Sequence, residues 1–472
     1  MPKLTRRKFI QTTAALASTF AISDTWHRVL GANDTIRIAV AGIHGRGVSH
    51  INALLNIPGV EIAYLVDPDS SLFESRVKQI VDKGGRPPKC VQDVRIALDD
   101  KNLDAISIAT CNHWHCLMMI WACQAGKDVY VEKPLSHNVH EGRIAIETAK
   151  KYNRVVQYGT SAGALGDRIA AIVKKGTYGK LLVSRGLCYK RRDSIGFKNP
   201  TNPPPYLDFD LWTGPAPKQP YHENLVHYNW HWFWDFGNGD IGNQGSHQMH
   251  AALHAIPGAT LPRTVISIGG RFGYRDQGET ANTQIAIFDY GDTQLIFEVR
   301  GLQTRDYYGQ TIGNTFHFEE GIIAGDKFYP NSGKEPEPVA WVEPERISRG
   351  GSFEEFINRM RTRDKEILDW DLELAHYSSA LCHLANISYR LGEQVKFTSK
   401  SRPFGPYEMA NEAFERMCDH LKDNGVVLTE TEYRLGKFLQ FSAKWERFIN
   451  RQANELLTRP PRPPFVVPEK VI

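Results

Sequence analysis

Three stretches of this sequence combine residue types that can hold a ligand or move a proton. The first is Gly42-Ile43-His44-Gly45-Arg46-Gly47. Glycines at this spacing allow a tight strand-to-helix turn and let a pyrophosphate approach the backbone, where the free N–H groups of a helix N-terminus favour an anion. The second comprises Thr110-Cys111-Asn112-His113-Trp114-His115 and Glu132-Lys133-Pro134, dense in hydrogen-bonding and titratable groups. The third runs from His227 to His254, HYNWHWFWDFGNGDIGNQGSHQMHAALH. Within it His247, His250 and His254 recur at i, i+3 and i+7 on one helical face, a spacing that could ligate a metal and serve a hydrolase. A hydrogen-bonded histidine cluster is the plainer reading, and no metal is assigned. Trp230, Trp232, Phe233, Trp234 and Phe236 could stack on the apolar faces of a sugar ring or fill a core. Lys190-Arg191-Arg192 reads first as a solvated basic turn and second as a clamp on an acidic group.

The elements around these stretches decide where they meet. Residues 35–43 are apolar and rich in β-branched side chains, a helical stretch follows over 48–55, and a second strand over 60–66 ends at Asp67. That acid lies 20 residues after Gly47, where a carboxylate can hold ribose hydroxyls. Its charge favours NAD over NADP by repelling a 2′-phosphate, while Arg46 in the glycine turn keeps NADP open. Strand-like runs over 104–109, 127–131 and 154–157 alternate with helical runs over 117–125 and 139–152. Such alternation predicts an α/β fold with a doubly wound parallel sheet, its ligands beyond the carboxyl ends of the strands. Those ends carry Thr110, Asn112, His115, Glu132 and Lys133, then Gln157-Tyr158-Gly159-Thr160.

From residue 181 the pattern changes. A strand over 181–189 and a proline-rich excursion over 199–220 precede β-like runs over 264–272, 283–290, 293–301 and 315–323. Asp289-Tyr290-Gly291-Asp292 supplies a hairpin turn. Helical runs over 353–361 and 372–391 come next, and the tail from Gly405 adds two more before Pro460-Pro461-Arg462-Pro463-Pro464. The expected division is a leader over 1–32, a nucleotide-binding Rossmann domain over 33–157, an α+β domain with an open, mostly antiparallel sheet over 158–400, and a C-terminal extension over 401–472.

The glycine turn, Asp67, the Asn112-His113-Trp114-His115 segment and Glu132-Lys133-Pro134, in this order and spacing, resemble the glucose–fructose oxidoreductase / inositol dehydrogenase / MocA family. The resemblance runs from about residue 35 to the C-terminus. It implies an NAD(P)-dependent oxidoreductase with Gly42, His44, Gly45, Arg46, Gly47, Asp67, Thr110, Asn112, His115, Glu132 and Lys133 around the cofactor. Lys133 inherits the lysine that meets the substrate hydroxyl beside the nicotinamide. The family's Asp-x-x-x-His on a helix matches Asn243 and His247, which makes His247 the acid/base and Asn243 its partner. An amide orients an imidazole but cannot stabilise an imidazolium as a carboxylate would, so Asp240 stands as a compensating acid. His250 also occupies a place where relatives often have aspartate. Trp230, Trp232, Asp240 and His250 are the expected substrate contacts. The open sheet implies a homo-oligomer. The substitution at Asn243 also motivates a competing reading, a sugar-binding or structural protein that has lost activity.

The first residues, MPKLTRRKFIQTTAALASTFAIS, are a leader rather than fold. Arg6-Arg7 precede a short apolar run that is too brief to span about 30 Å of hydrocarbon. Thr5–Ile10 resembles the bacterial twin-arginine export signal, a route taken by folded proteins. An exported enzyme of this kind would load its nucleotide in the cytoplasm, hold it tightly and regenerate it in place. It would do so by oxidising one sugar and reducing another, or by oxidation, elimination and re-reduction of a glycoside with net hydrolysis. The formal charge of the chain is +4, from 57 basic and 53 acidic residues. Residues 1–32 hold Lys3, Arg6, Arg7, Lys8 and Arg28 against Asp24 alone, so the surplus belongs to the leader and the rest is balanced. A neutral body suits a small-molecule enzyme and gives no case for nucleic acid; the family resemblance implies that the substrate is a sugar, polyol or glycoside. Seven scattered cysteines indicate neither a zinc ribbon nor a disulfide framework.

Overall fold

Five short, largely buried runs and one exposed edge strand, β3, form a parallel sheet of β1 (Ile36–Ala41), β2 (Val60–Val66), β3 (Lys89–Val91), β4 (Ala105–Ile108), β5 (Asp128–Glu132) and β6 (Val156–Gly159). Their order is β3-β2-β1-β4-β5-β6. The chain reverses direction of winding between β1 and β4, and the crevice outside the carboxyl ends of those two strands is where a doubly wound sheet binds its ligand. This computed structural model describes residues 35–348, 350–364, 366–398 and 402–471, so the leader expected over residues 1–32 lies outside the described residues. The connecting helices are amphipathic. Helix Arg46–Leu55 turns Gly47, His50, Ile51 and Leu54 inward, a spacing that keeps one face on the sheet. Helix Val139–Lys151 starts at a reciprocal cap in which Asn138 and Glu141 satisfy each other's backbone N–H groups.

The second sheet has twelve strands. Along its main path the order is β14 (Glu337–Pro338), β13 (Lys327–Pro330), β12 (Gly321–Ala324), β11 (Ile312–Phe318), β7 (Leu181–Tyr189), β10 (Gln294–Arg300), β9 (Thr283–Asp289), β8 (Thr264–Gly270), β16 (Glu432–Leu435) and β15 (Glu393–Lys396). All its pairings are antiparallel except β7 with β10. The Asp289–Asp292 hairpin is present between β9 and β10. The single strand expected over 315–323 is instead the hairpin of β11 and β12. Adjacent charged residues Glu319 and Glu320 leave the ladder there and Gly321 reopens it. Helices Gly163–Lys175, Gly245–His254 and Glu366–Arg390 cover the face toward the Rossmann domain, and one core cluster joins them to the sheet.

Residues 402–457 are woven into this second unit, while the last residues pack on the Rossmann unit. Helix Glu408–Asp423 buries Ala410, Ala413, Phe414, Met417 and Leu421 against Val183, Ile268, Ile285, Ile287 and Ile296 on the far face of the sheet. Strand β16 extends the sheet, β17 (Leu439–Ser442) pairs with β8, and β18 (Arg447–Phe448) pairs with β17. The surface expected to receive a second copy of the chain is therefore not open over β7–β10: this chain's own helix occupies it. Between helix and sheet lies a buried ion cluster. Burial alone would raise the Glu298 carboxyl, but Arg416, Arg185 and Arg300 outweigh it and hold the group at about 2. Among the described residues no helix is long and apolar enough to cross a membrane, and all seven cysteines are free thiols.

Candidate active site

A cleft opens at the carboxyl ends of β1, β2, β4 and β5, closed on its far side by residues 211–243 of the second unit. Of the eleven residues expected around the cofactor, ten line it: Gly42, His44, Gly45, Arg46, Asp67, Thr110, Asn112, His115, Glu132 and Lys133. Gly47 does not, because it lies beneath the turn. A Cβ there would sit 1.9 Å from the Gly42 carbonyl oxygen, so the residue serves the turn's closure. Gly42 has φ +80 and would drive a Cβ into the Ala109 carbonyl, whereas a Cβ on Gly45 would meet nothing within 4 Å. Gly45 therefore faces open space at the start of helix Arg46–Leu55, whose first turn carries no acidic residue and no side-chain cap. Asp67 accepts the Ile43 N–H at 2.9 Å and the Asp69 N–H at 3.0 Å, and burial pushes its carboxyl up to about 6. Asn112 turns a buried amide nitrogen without a partner toward this space. An open cradle of N–H groups, a buried carboxylate for hydroxyls and an orphaned amide together fit a dinucleotide.

Several walls of this cleft were not legible as such. The excursion after β7 crosses back to the Rossmann unit: Ser70 N–H donates to the Tyr206 carbonyl at 2.9 Å and Asp208 N–H to Pro68 at 2.9 Å. His227 hydrogen-bonds Asp69 at 2.9 Å through Nε2 and stacks on His44, with ring centroids 4.2 Å apart and planes 1° from parallel. Trp114 donates to the Leu211 and Trp212 carbonyls, each at 3.1 Å. The proline-rich tail buckles this strap, with Arg462 on Asp210 and Gly214 and Phe465 edge-on to Trp114. The expectation of a dinucleotide turn plus an acid gave no sign of it, since the contacts join residues far apart in the chain, from 97 positions upward.

At the opposite end Lys133 Nζ donates to the Asn243 carbonyl at 3.0 Å and to its Oδ1 at 3.3 Å. Burial pulls the ammonium below its usual range, and Arg46 and Lys190 add to that against Glu132. Glu132 is held by Arg46 at 2.8 Å and His50 at 3.1 Å; burial would raise its carboxyl, but these partners keep it at about 2. His115 sets Nδ1 2.7 Å from the Pro134 carbonyl and Nε2 3.1 Å from the Thr110 carbonyl; burial lowers its pKa, so the neutral ring donates to one of them while standing between the two strand-end loops.

Asn243 and His247 do not share a helix. Asn243 caps the short helix Gly239–Gly242 with φ −88 and ψ −89, and His247 lies in the next helix, Gly245–His254. Asn243 accordingly serves Lys133, while His247 Nδ1 meets Thr160 Oγ1 at 2.8 Å. Burial first, then Lys133, pushes the His247 imidazole down to about 4. It stands beside the lysine but behind the cleft wall.

Other expectations need correction. Asp240 does not back His247; it forms a two-pronged pair with Arg192 at 2.6 and 2.9 Å. Arg192 is therefore not part of a solvated turn, although Arg191 is, paired to exposed Asp193. His250 points into the core at Ser378, 3.1 Å away, and His254 pairs with Asp167 at 2.9 Å. Trp230 lines the cleft and donates to the His227 carbonyl at 2.9 Å. Trp232 does not line it and lies under the Arg192 guanidinium, 5.1 Å from ring centre. His231, stacked on Trp230 at 3.6 Å and held by burial at about 3, and half-exposed Tyr228 complete the wall. Both sit in the aromatic run, whose composition alone does not tell cleft from core.

A family model described as "Oxidoreductase family, NAD-binding Rossmann fold" matches residues 36–160, and one described as "Oxidoreductase family, C-terminal alpha/beta domain" matches residues 185–258. Both models are of the Gfo/Idh/MocA oxidoreductase family. Over 156 residues it is 28% identical to a glycosyl hydrolase family 109 protein of Shewanella baltica, a match covering 32% of this chain and 34% of that one. The match thus spans about a third of the curated relative. Among solved structures, an NAD-binding protein from Listeria innocua superposes with a TM-score of 0.51 at 15% identity, over 75% of this chain and 94% of that one. The WlbA dehydrogenase from Bordetella pertussis, solved with NADH and UDP-GlcNAcA, gives 0.52 at 16% identity over 76% and 97%. These likenesses are of fold.

Proposed function

We propose that the chain is an NAD-dependent oxidoreductase acting on a hydroxyl group of a sugar, polyol or glycoside. The observation that carries the reading is a cleft that fits a dinucleotide at one end and presents Lys133 at the other, with His247 of helix Gly245–His254 close behind that lysine. When bound, NAD would accept a hydride from the carbon that bears the substrate hydroxyl. His247, neutral at pH 7, takes the hydroxyl proton at Nε2 while Nδ1–H is anchored on Thr160. Lys133, aimed by the carbonyl and amide oxygens of Asn243, donates a hydrogen bond to the oxygen as negative charge develops there. Retention of both groups in the cleft's neighbourhood argues against an inactive sugar-binding protein.

The cofactor is held tightly and recycled in place. The strap over 206–231 supports this, because it lays His227 on Asp69 beside the ribose acid Asp67. Export by the twin-arginine route, argued from Thr5–Ile10, fits a nucleotide that is loaded before the protein leaves the cytoplasm. A redox-neutral hydrolysis of a glycoside is the second reading, favoured by the likeness to glycosyl hydrolase family 109 proteins. Denaturing the purified protein is expected to release stoichiometric nicotinamide nucleotide, and sugars are expected to raise absorbance near 340 nm in the native protein. A protein that neither releases nor binds nucleotide defeats the reading. Release of nitrophenol from a nitrophenyl glycoside without net absorbance at 340 nm selects the hydrolytic scheme.

A further inference from the structure

The reactive end of the cleft has more fixed positive charge than negative. Its two nearby carboxylates are each taken by a guanidinium, Glu132 by Arg46 and Asp240 by Arg192. The imidazoles there carry no charge at neutral pH, since burial holds His231 at about 3 and His247 at about 4. Two ammonium groups remain. Lys133, which lines the cleft, has only the carbonyl and amide oxygens of Asn243; Lys190, half-buried just after β7 and outside the lining itself, has only Gln244 Oε1 at 3.4 Å. Among the described residues neither has a carboxylate partner, yet they stand close enough for the charge of Lys190 to bear on Lys133 and His231. Gln244 also begins helix Gly245–His254, whose N-terminal turn holds no acidic residue and whose dipole adds positive potential. Half-buried cations without counter-charge are costly in a folded protein and are relieved by an anion of the right size.

We propose that the substrate is a sugar bearing an anionic substituent, which Lys190 and Gln244 hold at the start of helix Gly245–His254 while the reacting hydroxyl lies at Lys133. This rests on the oxidoreductase reading above and names the substrate class for that site. Lys133 serves the oxygen that loses its proton; Lys190 serves a charge that the reaction leaves unchanged. Uronates, sugar sulfates and sugar phosphates share the required chemistry.

The test pairs each neutral sugar with its charged counterparts: glucose with glucuronate, glucose 6-sulfate and glucose 6-phosphate, and galactose with galacturonate. Rates are read at 340 nm and binding by quenching of tryptophan fluorescence, since Trp114 and Trp230 line the cleft. At least one anionic member is expected to exceed its neutral parent in kcat/KM by about ten- to hundredfold, the range of a charge-assisted contact, with the preference shrinking as salt rises. The best of the three kinds identifies the anion. Lys190→Met is expected to erase the preference through KM and the quench, with bound nucleotide unchanged, and Lys190→Arg to restore part of it. Asn243→Asp, which sets a carboxylate against Lys133, is expected to weaken it as well. If neutral sugars turn over as well as every anionic one, the proposal falls and the oxidoreductase reading stands. If no sugar passes a hydride, that reading falls, and the anion site is then judged on the quench: equal quenching in the native protein and Lys190→Met overturns it.

Discussion

At the ribose end of the cleft the carboxylates are engaged by this chain itself. Asp67 holds two backbone N–H groups and Asp69 holds Ser71 and His227, so the strap from the second unit is seated by charges of the first. At the reactive end the carboxylates are neutralised by arginines, and the two lysines keep only uncharged partners. One end is a closed clasp and the other an incomplete site. On the proposed function the difference would separate two jobs: keeping a nucleotide through many turnovers, and admitting and releasing a substrate in each. Substitutions at the two ends should therefore separate retention from rate.

The largest effect belongs to Lys133. Lys133→Met removes the donor aimed at the developing oxyanion, a loss of roughly 10²–10³ in kcat. Nucleotide released on denaturation should stay stoichiometric. A variant that loses its nucleotide instead would move Lys133 from the reaction to the clasp and collapse the contrast.

His247→Gln should lower kcat by about 10², the usual worth of a positioned base, and Thr160→Val by less, because it frees the ring without removing it. His231→Gln provides the internal comparison. His231 lines the cleft where His247 does not, but its Nδ1 is spent on the Tyr228 carbonyl at 2.5 Å, and it should cost no more than about tenfold. The reverse ranking in steady-state rates would make His231 the proton acceptor.

How much of this the sequence shows differs between the ends for a physical reason. The glycine turn, Asp67 and the strand-end residues are legible because each follows from one local rule, a turn or a strand terminus, within the same parallel sheet. The break at Asn243 is not, since two glycines flank it and the i, i+4 spacing to His247 looks helical; the backbone angles at Asn243 end one helix before the next begins. The partner expected for His247, Asn243, instead holds Lys133, and His247 meets Thr160, for which spacing gave no role. Helix Glu408–Asp423 shows its apolar stripe plainly, yet only the tertiary structure reveals that the stripe covers the sheet face expected to meet another subunit. The strap is the hardest to foresee, because neither of the two proline-rich segments that build it, 199–220 and 460–464, has a periodic pattern to declare a surface.

His227→Ala tests the clasp directly. It removes the hydrogen bond to Asp69 and the stack on His44, and a hydrogen bond to a charged group contributes about 1.5–3 kcal/mol. Nucleotide dissociation, followed by exchange against labelled NAD during gel filtration, should quicken by about tenfold or somewhat more, with kcat at saturating nucleotide little changed. Unchanged exchange would mean that the strap shapes the cleft without holding its contents.

The smallest effect is a pH dependence, confined to the ribose end. Burial raises the Asp67 carboxyl to about 6, above its value in a solvated chain. Above that pH the group is ionised and accepts ribose hydroxyls with the lone pairs left by Ile43 and Asp69; as pH falls through about 6 it gains a proton and loses acceptor strength. Nucleotide affinity should therefore weaken several-fold between pH 7.5 and 5, by roughly what one weakened acceptor contributes. The same protonation removes the charge that repels a 2′-phosphate, so the preference for NAD over NADP should shrink over the same range. Competition binding of the two nucleotides across pH measures both. Asp67→Asn should flatten the two curves together, while Lys190→Met at the other end should leave them in place. A matching shift in Lys190→Met would show that the two ends share one electrostatic field rather than doing separate work.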